Sequence, residues 1–136
     1  MSRPATLIPG GRRSRALLIQ RHDNGHWEPP GGILELSEAV EDGLRREARE
    51  ESGLDIEPIA LTGVYKNMPR GILALVFRCK TTGGTLALSD EVGAFRWADD
   101  SDLAQLADEA YAVRVLDALR DDHRPVIRAH DGTRLL

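Results

Sequence analysis

The sequence predicts one mixed α/β (α+β) domain spanning residues 1–136. Three observations carry that expectation. Short apolar runs recur between Gly-, Pro- and Asn-rich turns, as strands do. One segment, 37–53, carries helix signals at both ends. A second apolar pattern at 3–4 spacing follows Ser101. At 136 residues and 41% hydrophobic content the chain is long enough to bury a real core.

Taken in order, residues 5–9 read as a short strand and Gly10-Gly11 as a turn. Ala16 to Arg21 is an apolar run expected to be a core strand. His22 to Gly25 is a turn by composition. Pro29-Pro30-Gly31-Gly32 is rigid, then permissive, and suits a tight loop that brings backbone carbonyls close to a ligand. Ser37 is the expected helix N-cap, with Glu38 and Glu41 in the first turn, and Gly53 the terminator. Pro58 to Lys66 reads as a strand and 67–71 as a turn. Ile72 to Phe77 is nearly all apolar, as in a strand covered on both faces. A turn at 82–85 and short strands at 86–88 and 94–97 follow. The last helical region starts at Ser101, places Leu103, Leu106, Ala110, Val113 and Leu116 or Asp117 inward, and breaks near Asp108. Pro125 ends it, and the tail 126–136 is open between an edge strand, a dimer contact and disorder.

The chemistry concentrates in 32–54. Glu47, Glu50 and Glu51 stand at i, i+3 and i+4, so a helix makes them neighbours. Val40, Leu44 and Leu54 mark the apolar stripe, and Glu47 and Glu51 fall inside it. Carboxylates that are close together and half-desolvated need a positive partner, and a hard divalent cation with oxygen ligands supplies one.

Gly32, five residues, Glu38, seven residues, then Arg46-Glu47-Ala48-Arg49-Glu50-Glu51-Ser52-Gly53-Leu54 resembles the complete signature of the Nudix (MutT-like) hydrolases. Trp27 ahead of the double glycine and the segment Glu91 to Trp97 also resemble that family. The resemblance implies a Nudix α/β/α sandwich with a mixed β-sheet between helices. It implies hydrolysis of a diphosphate linkage, by water attack at phosphorus, in a nucleoside diphosphate derivative: a nucleoside triphosphate, ADP-ribose or another sugar nucleotide. It implies Mg²⁺, with Mn²⁺ as substitute, held by Glu47, Glu50, Glu51, the Gly31 carbonyl and Glu91. Glu91 is preferred to Asp90 in that loop, and either Glu47 or Glu91 serves as base. Arg46 is expected to orient a glutamate by a bidentate ion pair, and Glu38 to support the loop and helix. A module that binds nucleotide without cleaving it is the alternative.

Arg12, Arg13, Arg15 and Arg21 cluster around one strand. They make either a solvated basic edge or a phosphate contact, with Arg21 the foremost substrate-binding candidate and Arg15 the next. Trp27 either packs its loop or stacks a base. His22 and His26 lack the companions of a zinc site and read as loop residues. Tyr111 and Arg114 face either a pocket or the surface. Cys79 is a lone cysteine without catalytic context. Pro69, fifteen residues past Leu54, matches a marker of ADP-ribose-cleaving members, whereas the short chain resembles the triphosphate-cleaving ones. A net charge of −4 speaks against a general nucleic-acid binder. No apolar stretch suits a signal peptide or bilayer span, so a cytoplasmic protein without membrane contact is expected. The family resemblance leaves a homodimer open.

Overall fold

A computed structural model of the chain describes residues 2–7, 15–120 and 124–136. The elements are β1 (Ser2–Leu7), β2 (Ala16–Arg21), β3 (Trp27–Glu28), α1 (Val40–Ser52), β4 (Leu54–Asn67), β5 (Ile72–Gly84), β6 (Val92–Ala98), α2 (Asp100–Leu106), α3 (Glu109–Leu119) and β7 (Val126–His130). The strands form two sheets. One is mixed, in the order β1-β5-β4-β7; the other is antiparallel, in the order β3-β2-β6. In the mixed sheet β1 runs parallel to β5 and β7 parallel to β4, while β4 and β5 form a long hairpin.

Side chains alternate across a strand, so a strand buried throughout needs cover on both faces. β2 has such cover. Ala16 and Leu18 join Leu103 of α2 and Ala112, Val115 and Ala118 of α3 in one core. Leu17 joins Leu44 and Ala48 of α1 in the other. β5 divides the same way: Ala74 and Val76 belong to the first core, Phe77 and Cys79 to the second. The sheets thus lie between α1 and the α2–α3 pair, which is the α/β/α sandwich that the signature implied.

Several expected boundaries move. Residues 8–14, holding the end of the 5–9 strand, the Gly10-Gly11 turn, Arg12 and Arg13, lie outside the described residues. The N-cap of α1 is Ala39, without a side-chain cap, rather than Ser37, so Glu41 and Asp42 occupy the first turn. Glu38 is the cause: its carboxylate accepts the Glu35 N–H and is gripped by Arg46, which holds the chain non-helical through that point. β4 and β5 outrun their expected spans, and β4 carries a bulge at Pro58, where proline has no N–H to give the ladder. Residues 86–88 form no strand; Ala87 donates instead to the Ser52 carbonyl at 3.0 Å. The helical region does break at Asp108, but its start is capped by Asp99, which forms a capping box with Asp102, while Ser101 only bonds to Asp99. Leu116 points outward and Asp117 inward. The tail provides β7 at the sheet edge.

Gly53 ends α1 in the left-handed region, φ 80°, and its N–H donates to the Arg49 carbonyl. A Cβ there would also strike the Thr85 carbonyl. Gly53→Ala is therefore expected to cost at least the 1–2 kcal/mol of a strained left-handed residue, read as a fall in urea midpoint at unchanged slope.

Candidate active site

The Pro29–Gly32 loop sits on the last two turns of α1. Its Gly31 N–H donates to Glu51 Oε1 at 2.6 Å, twenty residues away in sequence. Gly32 lies so close to the Glu47 carboxylate that a Cβ would overlap it. Gly32 thus lets the backbone come down onto Glu47 while the Gly31 N–H reaches Glu51. Glu51 is 5% exposed. Burial pushes its carboxyl up to about 8, with the nearby charges of Glu47 and Glu28 adding to the rise and the Gly31 bond opposing it. Glu47 is also raised, chiefly by burial, against the pull of Arg46; Glu50 and Glu91 add further negative charge.

Arg46 organises the rest. It grips Glu38 through Nε and a terminal nitrogen at 3.0 and 2.6 Å, and reaches Glu47 at 2.9 Å and Glu50 at 3.2 Å. Its bidentate partner is thus Glu38, and single bonds go to the other two. The Arg46 grip holds the Glu38 carboxyl down at about 2. Glu50 stays largely in solvent. Glu91 is exposed at the start of β6, its backbone carbonyl accepting the His22 N–H at 2.9 Å. Among the described residues no three acidic, imidazole or thiol groups converge into a ready ion cage. Even so the donor set suits a hard cation. Two carboxylates withheld from water and a third beside them gain by sharing positive charge; Arg46 bonds to Glu47 and Glu50, while Glu51, which feels the more distant charge of Arg21, is still raised.

Arg21 forms a two-bond pair with Asp23, at 2.9 and 2.7 Å, and a longer contact with Glu28 at 3.4 Å. Arg15 is exposed just ahead of β2. Trp27 packs against the α2–α3 core and also borders an open groove. Cys79 is buried beneath α1, and its thiol is pushed up to about 12 by that burial.

Sequence reasoning passed over Glu28, whose charge is felt at Glu51 and which walls the cleft beside the Gly31-Gly32 loop. Its place directly before the double proline was the available signal. The same cleft is bordered by Asn67, Arg70, Tyr111 and Arg114. The sequence offers a pocket reading for Tyr111 and Arg114 alone, because 67–71 reads simply as a turn.

Set against known proteins, this arrangement has a family. The NUDIX domain model matches residues 1–119. The chain belongs to the Nudix family. A MutT-like protein of Streptomyces ambofaciens is 51% identical over 122 residues, covering 90% of this chain and 79% of that one. An ADP-ribose pyrophosphatase of Methanocaldococcus jannaschii is 34% identical over 113 residues, 76% of this chain and 67% of that one. In three dimensions an ADP-ribose pyrophosphatase from Streptococcus suis superposes with a TM-score of 0.78 at 21% identity, covering 93% of this chain and 97% of that chain. At that identity the match speaks for the fold alone. This Nudix chain is a hydrolase of acid anhydrides in phosphorus compounds. No helix among the described residues is long and apolar enough to cross a membrane.

Proposed function

We propose that this Nudix chain is a magnesium-dependent pyrophosphohydrolase acting on a nucleoside diphosphate derivative, with Glu47, Glu50, Glu51, the Gly31 carbonyl and Glu91 holding the ion. The observation that carries this reading is Glu51, buried beneath the Gly31 N–H with its carboxyl raised to about 8. A carboxylate in that state is a strong site for a hard cation, manganese included. When bound, such an ion supplies positive charge to the phosphates and acidifies water. The residues supply the rest. Glu47, raised by burial and held by Arg46 at 2.9 Å, is the first candidate to take the proton from water. Glu91, in solvent and within its field, is the second candidate base. The Gly31-Gly32 backbone and the α1 carboxylates fix where the diphosphate lies. Attack by water is favoured over covalent catalysis because the only cysteine is buried and protonated. Arg21 at the end of β2 and Arg15 just ahead of that strand serve as phosphate contacts in this reading, Arg21 by exchanging its Asp23 pairing for a phosphate. Both the M. jannaschii relative and the position of Pro69 favour ADP-ribose among the sugar nucleotides.

A screen with Mg²⁺ over nucleoside triphosphates, oxidised nucleotides, sugar nucleotides and dinucleotides, reading the cleaved nucleotide products by chromatography, tests the reading. At least one substrate should turn over, and chelation should stop it. Failure of the whole panel, with nucleotides still binding in calorimetry, would leave a binding module instead. Within the same assay Arg46→Lys, which cannot hold Glu38 by two bonds while reaching Glu47, is expected to lower turnover roughly 10–100-fold. A thermal melt close to wild type would separate that loss from unfolding.

A further inference from the structure

β2 and β6 pair antiparallel with one irregularity. Gln20 faces Ala94 and Arg21 faces Val92, so Gly93 has no residue opposite. Such a β-bulge bends its strand and re-aims the side chains beside it. The chain just ahead of the bulge carries Glu91, and it is fastened from two sides. The His22 N–H donates to the Glu91 carbonyl at 2.9 Å. The Ser89 hydroxyl accepts the N–H groups of Glu91 and Val92 at 3.3 and 3.2 Å. The Ser89 N–H donates to the carbonyl of buried Val92 at 3.2 Å.

The bulge glycine also carries a side chain on top of it. A Cβ at Gly93 would come within 2.7 Å of His22 Cε1, 2.9 Å of Nδ1 and 3.2 Å of Nε2. The imidazole thus presses where a Cβ would stand. His22 opens the β2–β3 hairpin, whose turn is closed by the Arg21 N–H on the His26 carbonyl and the Gly25 N–H on the Arg21 carbonyl, each 3.0 Å. The ring therefore stands on a hydrogen-bonded turn. It is exposed, so the contact buries little and contributes little to the core. His22, Asp90 and Glu91 line one recess, and the Glu91 charge is felt at Glu47.

Resting on the function just proposed, in which Glu91 is ion ligand or base, we propose that His22 and Gly93 are positioning residues: the imidazole packed on the bulge glycine fixes the backbone from which Glu91 serves the α1 carboxylates. An exposed glutamate on a loop must give up conformational freedom to act at one point, and a fixed backbone lowers that cost. The arrangement needs a ring at 22 and no Cβ at 93.

A double-mutant cycle between His22→Ala and Glu91→Gln, in turnover of the nucleotide that the screen returns, tests the assignment. His22→Ala is expected to lower kcat roughly tenfold and leave KM near wild type, as loss of an orienting group does. In the Glu91→Gln background it should change kcat by less than about twofold, the scatter of additive sites. His22→Phe keeps a ring on Gly93 and should retain wild-type kcat. Gly93→Ala drives the ring aside and should match His22→Ala, with no further loss when the two are combined. Should Gly93→Ala fail to fold, the two His22 variants carry the test. Equal losses from His22→Ala with and without Glu91, or a loss from His22→Phe as large as from His22→Ala, overturn the assignment. Mn²⁺ alone, its free form followed by electron paramagnetic resonance, gives a readout apart from hydrolysis. If Glu91 is a ligand, His22→Ala should weaken Mn²⁺ severalfold in wild type and not in Glu91→Gln. A flat Mn²⁺ cycle beside an intact kcat cycle keeps the positioning pair and makes Glu91 the base. An intact Mn²⁺ cycle without hydrolysis of any substrate keeps the pair and removes the enzyme. Hydrolysis with kcat indifferent to His22 keeps the enzyme and removes the pair. With no hydrolysis and a flat Mn²⁺ cycle, both fall.

Discussion

Glu51→Gln is expected to lower turnover by on the order of a thousandfold, the equivalent of about 4 kcal/mol of transition-state charge stabilisation, while the protein stays folded. Glutamine keeps an oxygen for the Gly31 N–H and nearly the same volume, but it cannot become the anion that a divalent ion requires. The pH dependence gives a second reading of the same residue. In the ion-free protein burial raises the Glu51 carboxyl from 4.5 to about 8. A group raised on folding contributes its full stability below its unfolded pKa, and that contribution is lost as pH climbs through the folded value. Ion-free wild type should therefore weaken between about pH 4.5 and pH 8, by on the order of 5 kcal/mol. Glu51→Gln should lose most of that slope and keep the part that Glu47, also raised by burial, contributes. Magnesium should restore stability to wild type more at pH 8 than at pH 5, because binding needs the ionised carboxylate. Thermal melts of both proteins at the two pH values, with and without magnesium, check all of this. A variant that keeps wild-type turnover, or that gains as much from magnesium as wild type does, removes Glu51 from the role assigned to it.

Glu51 also marks how far the sequence could be read. Its burial was legible because helix geometry placed a carboxylate in the apolar stripe of Leu44 and Leu54. Gly53 and the 16–21 run were legible for similar reasons: a left-handed cap favours glycine, and an unbroken apolar hexamer needs two covered faces. What escaped was settled by pairings distant in sequence. Ser37 has the right chemistry for an N-cap, yet Glu38 accepts a loop N–H and two Arg46 donors, and that pairing delays the helix to Val40. Residues 86–88 have strand composition but find no open ladder; Leu86 packs against the α1 core and Ala87 bonds to the helix end. Nothing local in 126–130 says that it joins β4, or that the strands divide into two sheets. Asn67 and Arg70 lie in a segment with turn chemistry, and turn chemistry does not report what the turn faces.

Asp117 sits at the joint made by such distant contacts, and Asp117→Asn is expected to cost about 3 kcal/mol, the lower end of what breaking a buried ion pair costs. The carboxylate is 3% exposed on α3. It accepts the Tyr65 hydroxyl of β4 at 2.8 Å and two bonds from Arg128 of β7, each 2.8 Å. Burial alone would lift its pKa, but the Arg128 and Tyr65 bonds and the nearby positive charge outweigh that and hold it below the ordinary carboxylate value. Its stabilising share is thus complete above its unfolded pKa and vanishes as pH falls through the folded one, so wild type and variant should converge in strong acid. Asparagine has one acceptor where Arg128 offers two donors, and its amide must turn a donor toward Arg128 or toward the Tyr65 hydroxyl. A melting temperature lower by roughly 10 °C near neutral pH is the expected reading. Tyr65→Phe removes one bond and no charge, and should cost only about 1 kcal/mol. If the two variants prove equally mild, Arg128 is held to α3 by its stem rather than its charge. The lock on β7 then lies in the sheet hydrogen bonds alone.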